Sequence, residues 1–109
     1  MEFADSKYEQ TFMLRLYEFL CDMTDMREAY YKKQFSQSSD PLTYSIGKKY
    51  LKVFLLSRET GEPDSVWCFV DSKGDIFKPA SWSRPAKHAR GNLWQNKILM
   101  GPYGPPSLK

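Results

Sequence analysis

The sequence predicts an α+β domain: an N-terminal helix or helix pair packed on a three- to four-stranded antiparallel β-meander, followed by a basic C-terminal segment. Apolar residues in the first third recur at spacings of three and four, the period of an amphipathic helix. Beyond residue 43, short apolar and aromatic runs alternate with polar turns, as in successive hairpins. The 109 residues suffice for one domain, which we assign to residues 1–100, with a flexible Pro/Gly-rich tail over 101–109.

The helix is predicted to begin near position 7, because Ser6 followed by Glu9 has the form of a capping box. Asp25 and Glu28 form a second such pair. The helix therefore either runs on without interruption or breaks near residues 23–24 and restarts, and the second pair favours a restart. The buried stripe of this region is predicted to contain Phe12, Leu16, Phe19, Leu20 and Met23.

Residues 44–56 have β character, and Gly47 marks either a tight turn or a bulge inside them. Residues 50–56 are apolar on both faces over their second half. This predicts a central strand covered by a helix on one side and by another layer on the other. Two further strands, from Val66 and from Asp75, follow at short polar connections. The predicted core of the sheet is Leu51, Val53, Leu55, Val66, Phe69 and Ile76.

The last strand gives way to a proline-punctuated segment for which we predict a short helix, Arg84–Arg90. Ser83 is a suitable N-cap, with Ser81 as its rival, and Pro85 is tolerated in a first helical turn. Gly91 is well placed to end the helix.

Charge is distributed unevenly along the chain. Residues 1–71 contain 9 Lys/Arg and 12 Asp/Glu, whereas residues 72–109 contain 7 Lys/Arg and a single acid, Asp75. The first part therefore has a net charge of −3 and the second of +6. This asymmetry predicts either a surface that faces an anion or internal pairing between the basic residues and the protein's own carboxylates.

Composition argues against several functional classes. One histidine, with the two cysteines 47 residues apart, gives no metal-binding spacing and no disulfide framework. No phosphate-binding glycine loop and no activated nucleophile is evident. We expect no enzymatic activity and no cofactor. No apolar run approaches the roughly 20 residues of a membrane span, and the N-terminus lacks a signal peptide's apolar core, so a cytoplasmic location is expected.

One enzymatic pattern has to be weighed against this expectation. Pro63-Asp64 followed by Asp71-Ser72-Lys73 has the letters of a metal-dependent nuclease motif, in which two carboxylates hold Mg²⁺ near a lysine. The second half of the pattern lies in a predicted hairpin turn, where Asp is favoured for backbone reasons. We therefore interpret it as turn chemistry.

The basic segment, residues 78–92, is the stronger candidate for a site. Single-stranded nucleic acid is bound by cations that follow the phosphates and by aromatic rings that stack on bases, and this segment interleaves both residue types. Phe77 and Trp94 are further aromatic candidates, although a tryptophan can equally anchor the segment to the core. The predicted nucleic-acid or anion-binding residues are Lys78, Trp82, Arg84, Lys87, His88, Arg90 and Asn92.

The stretch F-V-D-S-K-G-D-I-F-K-P-A-S-W-S-R-P-A-K-H-A-R-G-N resembles a block near the C-terminus of a group of small tailed-phage proteins without an assigned function. The resemblance covers about residues 44–93. It implies a phage accessory protein in the cytoplasm of an infected bacterium. A nucleic-acid-binding protein, an inhibitor of a host or defence factor, and a nucleotide-binding sponge all fit that setting. The matching positions are Lys78, Ser81, Trp82, Pro85, Lys87, Arg90 and Asn92.

Overall fold

A computed structural model describes residues 1–106 and has one helix and five strands. The elements are α1 (Ser6–Phe35), β1 (Leu42–Ile46), β2 (Tyr50–Leu56), β3 (Pro63–Asp71), β4 (Asp75–Pro79) and β5 (Pro85–Asn92). The strands form one antiparallel sheet in the order β1-β2-β3-β4-β5. The α+β class and the meander are confirmed.

Helix α1 begins one residue earlier than predicted, because Asp5 and not Ser6 is the N-cap. The Asp5 carboxylate accepts a hydrogen bond from the backbone N–H of Tyr8 at 2.8 Å. At the other end, Ser36 takes a left-handed conformation with φ 55°, and its N–H bonds back to the carbonyl of Lys32.

The preference for a restart near residues 23–24 was wrong, since α1 is continuous over 30 residues. The buried stripe continues through this point from Met23 to Arg27. The carboxylate of Glu28 does not cap a new helix. It accepts instead from the backbone N–H and the hydroxyl of Ser39, at 2.9 Å and 2.7 Å, in the loop that leads to β1.

The sheet has five strands and not the predicted three or four, for two reasons. Gly47 lies in a turn between β1 and β2, where its N–H donates to the carbonyl of Tyr50 at 2.9 Å. The predicted helix Arg84–Arg90 is wrong: Arg84 lies in the loop after β4, and residues 85–90 belong to β5, which pairs with β4. Pairing satisfies the backbone of β4 on its open side, and this tertiary requirement outweighs the local helix signals.

One face of the sheet packs on α1. The buried residues of the core on this side are Phe12, Leu16, Phe19, Met23, Leu51, Val53, Trp67, Cys68, Val70, Ile76 and Leu93, whereas Phe69 is buried on the other face. Of the predicted core, Leu20, Leu55 and Val66 are only half-buried. Trp67, and not Val66, is buried in the core at this point of β3. The β2–β3 register shifts here and leaves Trp67 without a partner on β2. The ring of Trp67 lies 6.1 Å from that of Phe19.

Residues 93–106 extend the layer that α1 begins. Leu93 is fully buried, and its carbonyl accepts from the Nε of Arg15. The indole N–H of Trp67 donates to the carbonyl of Pro102 at 3.2 Å, and Gly104 is buried. Of the tail predicted over 101–109, residues 101–106 therefore lie against the domain, and residues 107–109 lie outside the described range.

Candidate nucleic-acid interface

The face of the sheet opposite α1 carries aromatic side chains where a solvent-facing sheet normally carries polar ones. Leu51 and Val53 point into the core, so Tyr50, Lys52 and Phe54 point to the opposite side. We call the outward-facing cluster the aromatic face. It consists of Tyr50, Phe54, Phe69, Phe77 and Trp82.

Edge-to-face contacts organise these rings. The ring of Tyr50 lies 6.1 Å from that of Phe69 and 5.8 Å from that of Phe77. The ring of Trp82 lies 5.9 Å from that of Phe54. Such geometry is favourable for aromatic pairs and fixes the rings in place. Phe69 is buried beneath the others, while Tyr50, Phe54 and Phe77 are half-buried and Trp82 is 48% exposed.

The loop between β4 and β5 brings Trp82 over the sheet. The N–H groups of Ala80 and Ser81 both donate to the carbonyl of Arg84, which closes the loop on itself. The Nζ of Lys52 lies 4.2 Å from the centre of the Trp82 ring and 6.0 Å from that of Phe69. The cation–π contact places a positive charge at the centre of the aromatic face.

Two open clefts lie on either side of this loop. One, of about 270 Å³, is lined by Lys48, Tyr50, Lys52 and Ser83 together with the turn after β1. The other, of about 370 Å³, is lined by Ser65, Val66, Trp82 and the residues that precede it, 79–81. Among residues 1–106, no acidic side chain lines either cleft.

The sequence left open whether the basic residues pair with the protein's own acids. Within residues 1–106, Arg84, Lys87 and Arg90 contact no carboxylate. The guanidinium of Arg90 donates to two backbone carbonyls, those of Pro106 and His88. The candidate acids are engaged elsewhere, because Asp71 accepts from the N–H groups of Lys73 and Asp75 in the β3–β4 turn.

The predicted site residues lie in the loop between β4 and β5 and on the two strands that it connects. Trp82 and Arg84 lie in the loop, and Lys87 and His88 are exposed on the edge strand β5. Lys78 is half-buried on β4.

Asn92 has a different environment from these residues. Its amide donates to Asp75 at 3.0 Å, and its oxygen accepts from the N–H of Trp94 at 2.8 Å. Trp94 packs on Tyr8, with ring centres 5.9 Å apart, and its indole lies beside Gly74. Neither residue is among those that form the aromatic face.

Sequence reasoning missed most of the aromatic face. Phe77 was named as a stacking candidate, but Tyr50, Phe54 and Lys52 were not. The sequence did contain a sign of these residues, because residues 50–56 of β2 have apolar side chains on both faces. That pattern was interpreted as a strand covered by a second layer. Among residues 1–106 no helix covers this side, so Trp82 is exposed and Tyr50, Phe54 and Phe77 remain partly exposed.

The nuclease pattern does not assemble. Asp64 lies at the start of β3 and Asp71 at its end. At about 3.3 Å per residue the two carboxylates are separated by roughly 20 Å, too far to share a metal ion. Within the described residues, no three His, Cys, Asp or Glu side chains are grouped so as to hold one.

The chain belongs to a family of unknown function, DUF7717, whose model matches residues 2–98. The match spans α1 and all five strands, so it covers both layers of the fold and the aromatic face. No curated protein and no solved structure matches the chain. In residues 1–106, no helix combines the length and the apolar character of a membrane span.

Proposed function

We propose that this protein is a non-enzymatic accessory protein that binds single-stranded nucleic acid through the aromatic face and the adjoining basic segment. The observation that supports the proposal most is the aromatic sheet face opposite α1, on which the ammonium group of Lys52 lies near the rings of Trp82 and Phe69. An infected bacterial cytoplasm is the setting that the sequence resemblance implies.

Base stacking accounts for an exposed aromatic surface on a protein that has already built its core. A stacked base contributes about 1–3 kcal/mol to binding, and every base has a face that can stack. Trp82 offers the most accessible ring of the cluster, and its contact with Phe54 holds it in place without covering it. Rings that are fixed before binding lose little conformational entropy when a base stacks on them.

Phosphate attraction accounts for the cations at the border of this face. Arg84 and Lys87 contact no carboxylate in residues 1–106, so their charges are available to a polyanion. Each phosphate that a cation neutralises releases condensed counterions, which favours binding at low salt. The absence of acidic side chains from both clefts supports an anionic ligand in the same place.

Single strands fit this surface better than duplexes. Bases in a duplex are stacked on one another, and their faces are not available to Tyr50 or Trp82. Readout of B-DNA uses a helix or a two-stranded ribbon that enters the major groove. The face described here is the middle of a sheet of five strands.

Fluorescence anisotropy tests the proposal with labelled 12-nucleotide DNA and RNA single strands and the corresponding duplexes, at 50 mM and 200 mM salt. We expect single strands to bind more tightly than duplexes. Trp82→Ala should weaken single-strand binding about 5- to 150-fold, the range for loss of one stacked base. Lys52→Gln should weaken it as well, because it removes the charge beside the ring.

Lys33→Gln is the matched control, since Lys33 is an exposed lysine in the last turn of α1, on the opposite face of the sheet. It should leave affinity unchanged. The proposal is wrong if neither strand type binds at 50 mM salt. It is also wrong if Trp82→Ala and Lys52→Gln bind as tightly as the unaltered protein.

A further inference from the structure

The two edges of the sheet differ in how they are protected from pairing with another strand. The β5 edge begins with Pro85 and carries Lys87, His88 and Arg90, features that discourage a further strand from adding. The β1 edge, Leu42–Ile46, has the sequence L-T-Y-S-I, with no charge and no proline. Its free backbone groups are therefore an unprotected template.

The surface next to the β1 edge is apolar. Leu42, Tyr44 and Ile46 pair with core-facing positions of β2, so they point to the same side of the sheet as α1. Tyr44 is 41% and Ile46 53% exposed. On the facing side of α1, Leu14 and Tyr17 are each 68% exposed.

A groove in two adjoining parts runs between α1 and residues 42–44 of β1. One part, of about 710 Å³, is lined by Met13, Leu14, Tyr17 and Tyr44, with Glu9 near its end. A second part, of about 340 Å³, continues through Tyr17 and Tyr44 to Leu20 and Leu42. Taking about 200 Å² for a large side chain, the four exposed residues form a patch of roughly 500 Å², at the upper end for a monomer.

We propose that a second copy of this chain occupies this groove, with β1 pairing antiparallel to its own copy about a two-fold axis at Tyr44. The strand is self-complementary in this register: Tyr44 meets the partner's Tyr44, and Leu42 meets the partner's Ile46. Every pair on the α1 side of the sheet is then apolar or aromatic, and no like charges are opposed within the strand.

The surface area that would be buried between two copies of the chain is consistent with a dimer. Two patches contribute roughly 1,000 Å², and the paired strands with their flanking atoms bring the total near the lower limit of about 1,200 Å² for a stable interface. The two sheets become one sheet of twice the width, with both aromatic faces on the same side. The inference goes beyond the nucleic-acid proposal and does not depend on it.

Cysteine cross-linking tests the register in a Cys21→Ser background, because Cys21 is the exposed native thiol and Cys68 is buried. Directly opposite residues in antiparallel strands have Cα atoms about 4.5–5.5 Å apart, within the range for a disulfide. Tyr44→Cys should therefore give a disulfide-linked dimer under mild oxidation. Thr43→Cys is the matched control, since position 43 lies diagonally from its own copy at about 7–8 Å and should not cross-link.

Sedimentation velocity on the unmodified chain, at 500 mM salt to remove nucleic acid, should give a concentration-dependent dimer. Ile46→Lys should give a monomer with unchanged circular dichroism, because at each end of the paired strands it places a charged side chain against the apolar Leu42 of the other copy. Leu99→Lys, at a residue that is also 68% exposed, should leave the dimer intact. A monomer at all concentrations, or equal cross-linking at positions 43 and 44, would overturn the proposal.

Discussion

The buried guanidinium of Arg27 donates from Nη1 to the carbonyl oxygen of Pro102 at 2.6 Å and so ties α1 to the C-terminal segment. A second nitrogen of Arg27 donates to the carbonyl of Asp40 at 3.3 Å, and the guanidinium carbon lies 5.2 Å from the ring centre of Tyr31. A buried charge is costly unless it is hydrogen-bonded. Here backbone carbonyls and an aromatic ring take the place of a carboxylate.

Replacing Arg27 with methionine is expected to lower the free energy of unfolding by about 2 kcal/mol, because the apolar stem is largely retained while the hydrogen bonds to the partly buried carbonyls of Pro102 and Asp40 are lost. Urea denaturation measures this change. Arg58→Met is the control at an arginine whose side chain is 56% exposed, and it should cost less than about 1 kcal/mol. Equal losses for both variants would contradict the anchoring role of Arg27.

Gly104 is the second anchor of the C-terminal segment. Its φ is +111°, and a Cβ added there would lie 2.6 Å from the carbonyl oxygen of Trp67. Gly104→Ala should therefore destabilise the fold by more than about 2 kcal/mol. Gly61 also has a positive φ, +72°, but an added Cβ meets nothing within 4 Å. Gly61→Ala should cost about 1 kcal/mol, and thermal unfolding of the two variants compares them directly.

The sequence predicted the α+β class, the meander and most of the buried stripe of α1, because those features follow from hydrophobic period and turn chemistry. It failed where tertiary contacts override local signals. Glu28 resembles a capping-box residue, but its carboxylate is used by Ser39 in the next loop. The segment from Pro85 resembles a short helix, but β4 requires a hydrogen-bonding partner on that side.

The sequence predicted the basic and aromatic residues of the candidate site that lie in residues 78–92, but not those that lie on β2. Trp82 and Arg84 were recognisable from a basic and aromatic composition that is local in sequence. Lys52 and Phe54 approach Trp82 only because the sheet brings β2 beneath the loop between β4 and β5. A contact across 30 residues of chain is not encoded in any local spacing.

Glu28 is expected to make stability depend on pH. Its hydrogen bonds from Ser39 lower the pKa of its carboxyl, assisted by the nearby charges of Lys32 and Arg58 and opposed by desolvation. Because the pKa of Glu28 is lower in the folded than in the unfolded state, its ionised carboxylate stabilises the fold. This stabilisation is fully present above the unfolded-state pKa and is lost as the pH falls through the folded-state pKa.

Glu28→Gln should therefore unfold at a lower temperature than the unaltered protein at pH 7, and the difference should shrink between about pH 5 and pH 3. Thermal scans across this range measure the effect. Glu18→Gln, at an exposed helix position, should show no such trend. A difference that stays constant down to pH 3 would rule out the ionised carboxylate as its source.

Asn92 is expected to act in folding and not in binding. Its side chain joins Asp75 to the backbone of Trp94, so Asn92→Ala should lower the free energy of unfolding by about 1–3 kcal/mol. The affinity of the folded variant for single strands should stay within twofold. Asn96→Ala, at an exposed asparagine nearby, should change neither quantity. A large loss of affinity with unchanged stability would place Asn92 at the interface after all.

Salt dependence separates the two kinds of binding residue. Arg84 and Lys87 are assigned to phosphates, and for single strands each phosphate contact contributes about 0.7 to the slope of log K against log salt concentration. Arg84→Gln and Lys87→Gln should each reduce the slope by about that amount. Trp82→Ala should lower affinity at every salt concentration and leave the slope nearly unchanged, because stacking releases few counterions. Titrations from 25 to 200 mM salt, with Lys33→Gln as the charge-matched control, measure both quantities. If Arg84→Gln and Lys87→Gln retain the full slope, the phosphates lie elsewhere on the molecule, and the assignment of the basic segment is wrong.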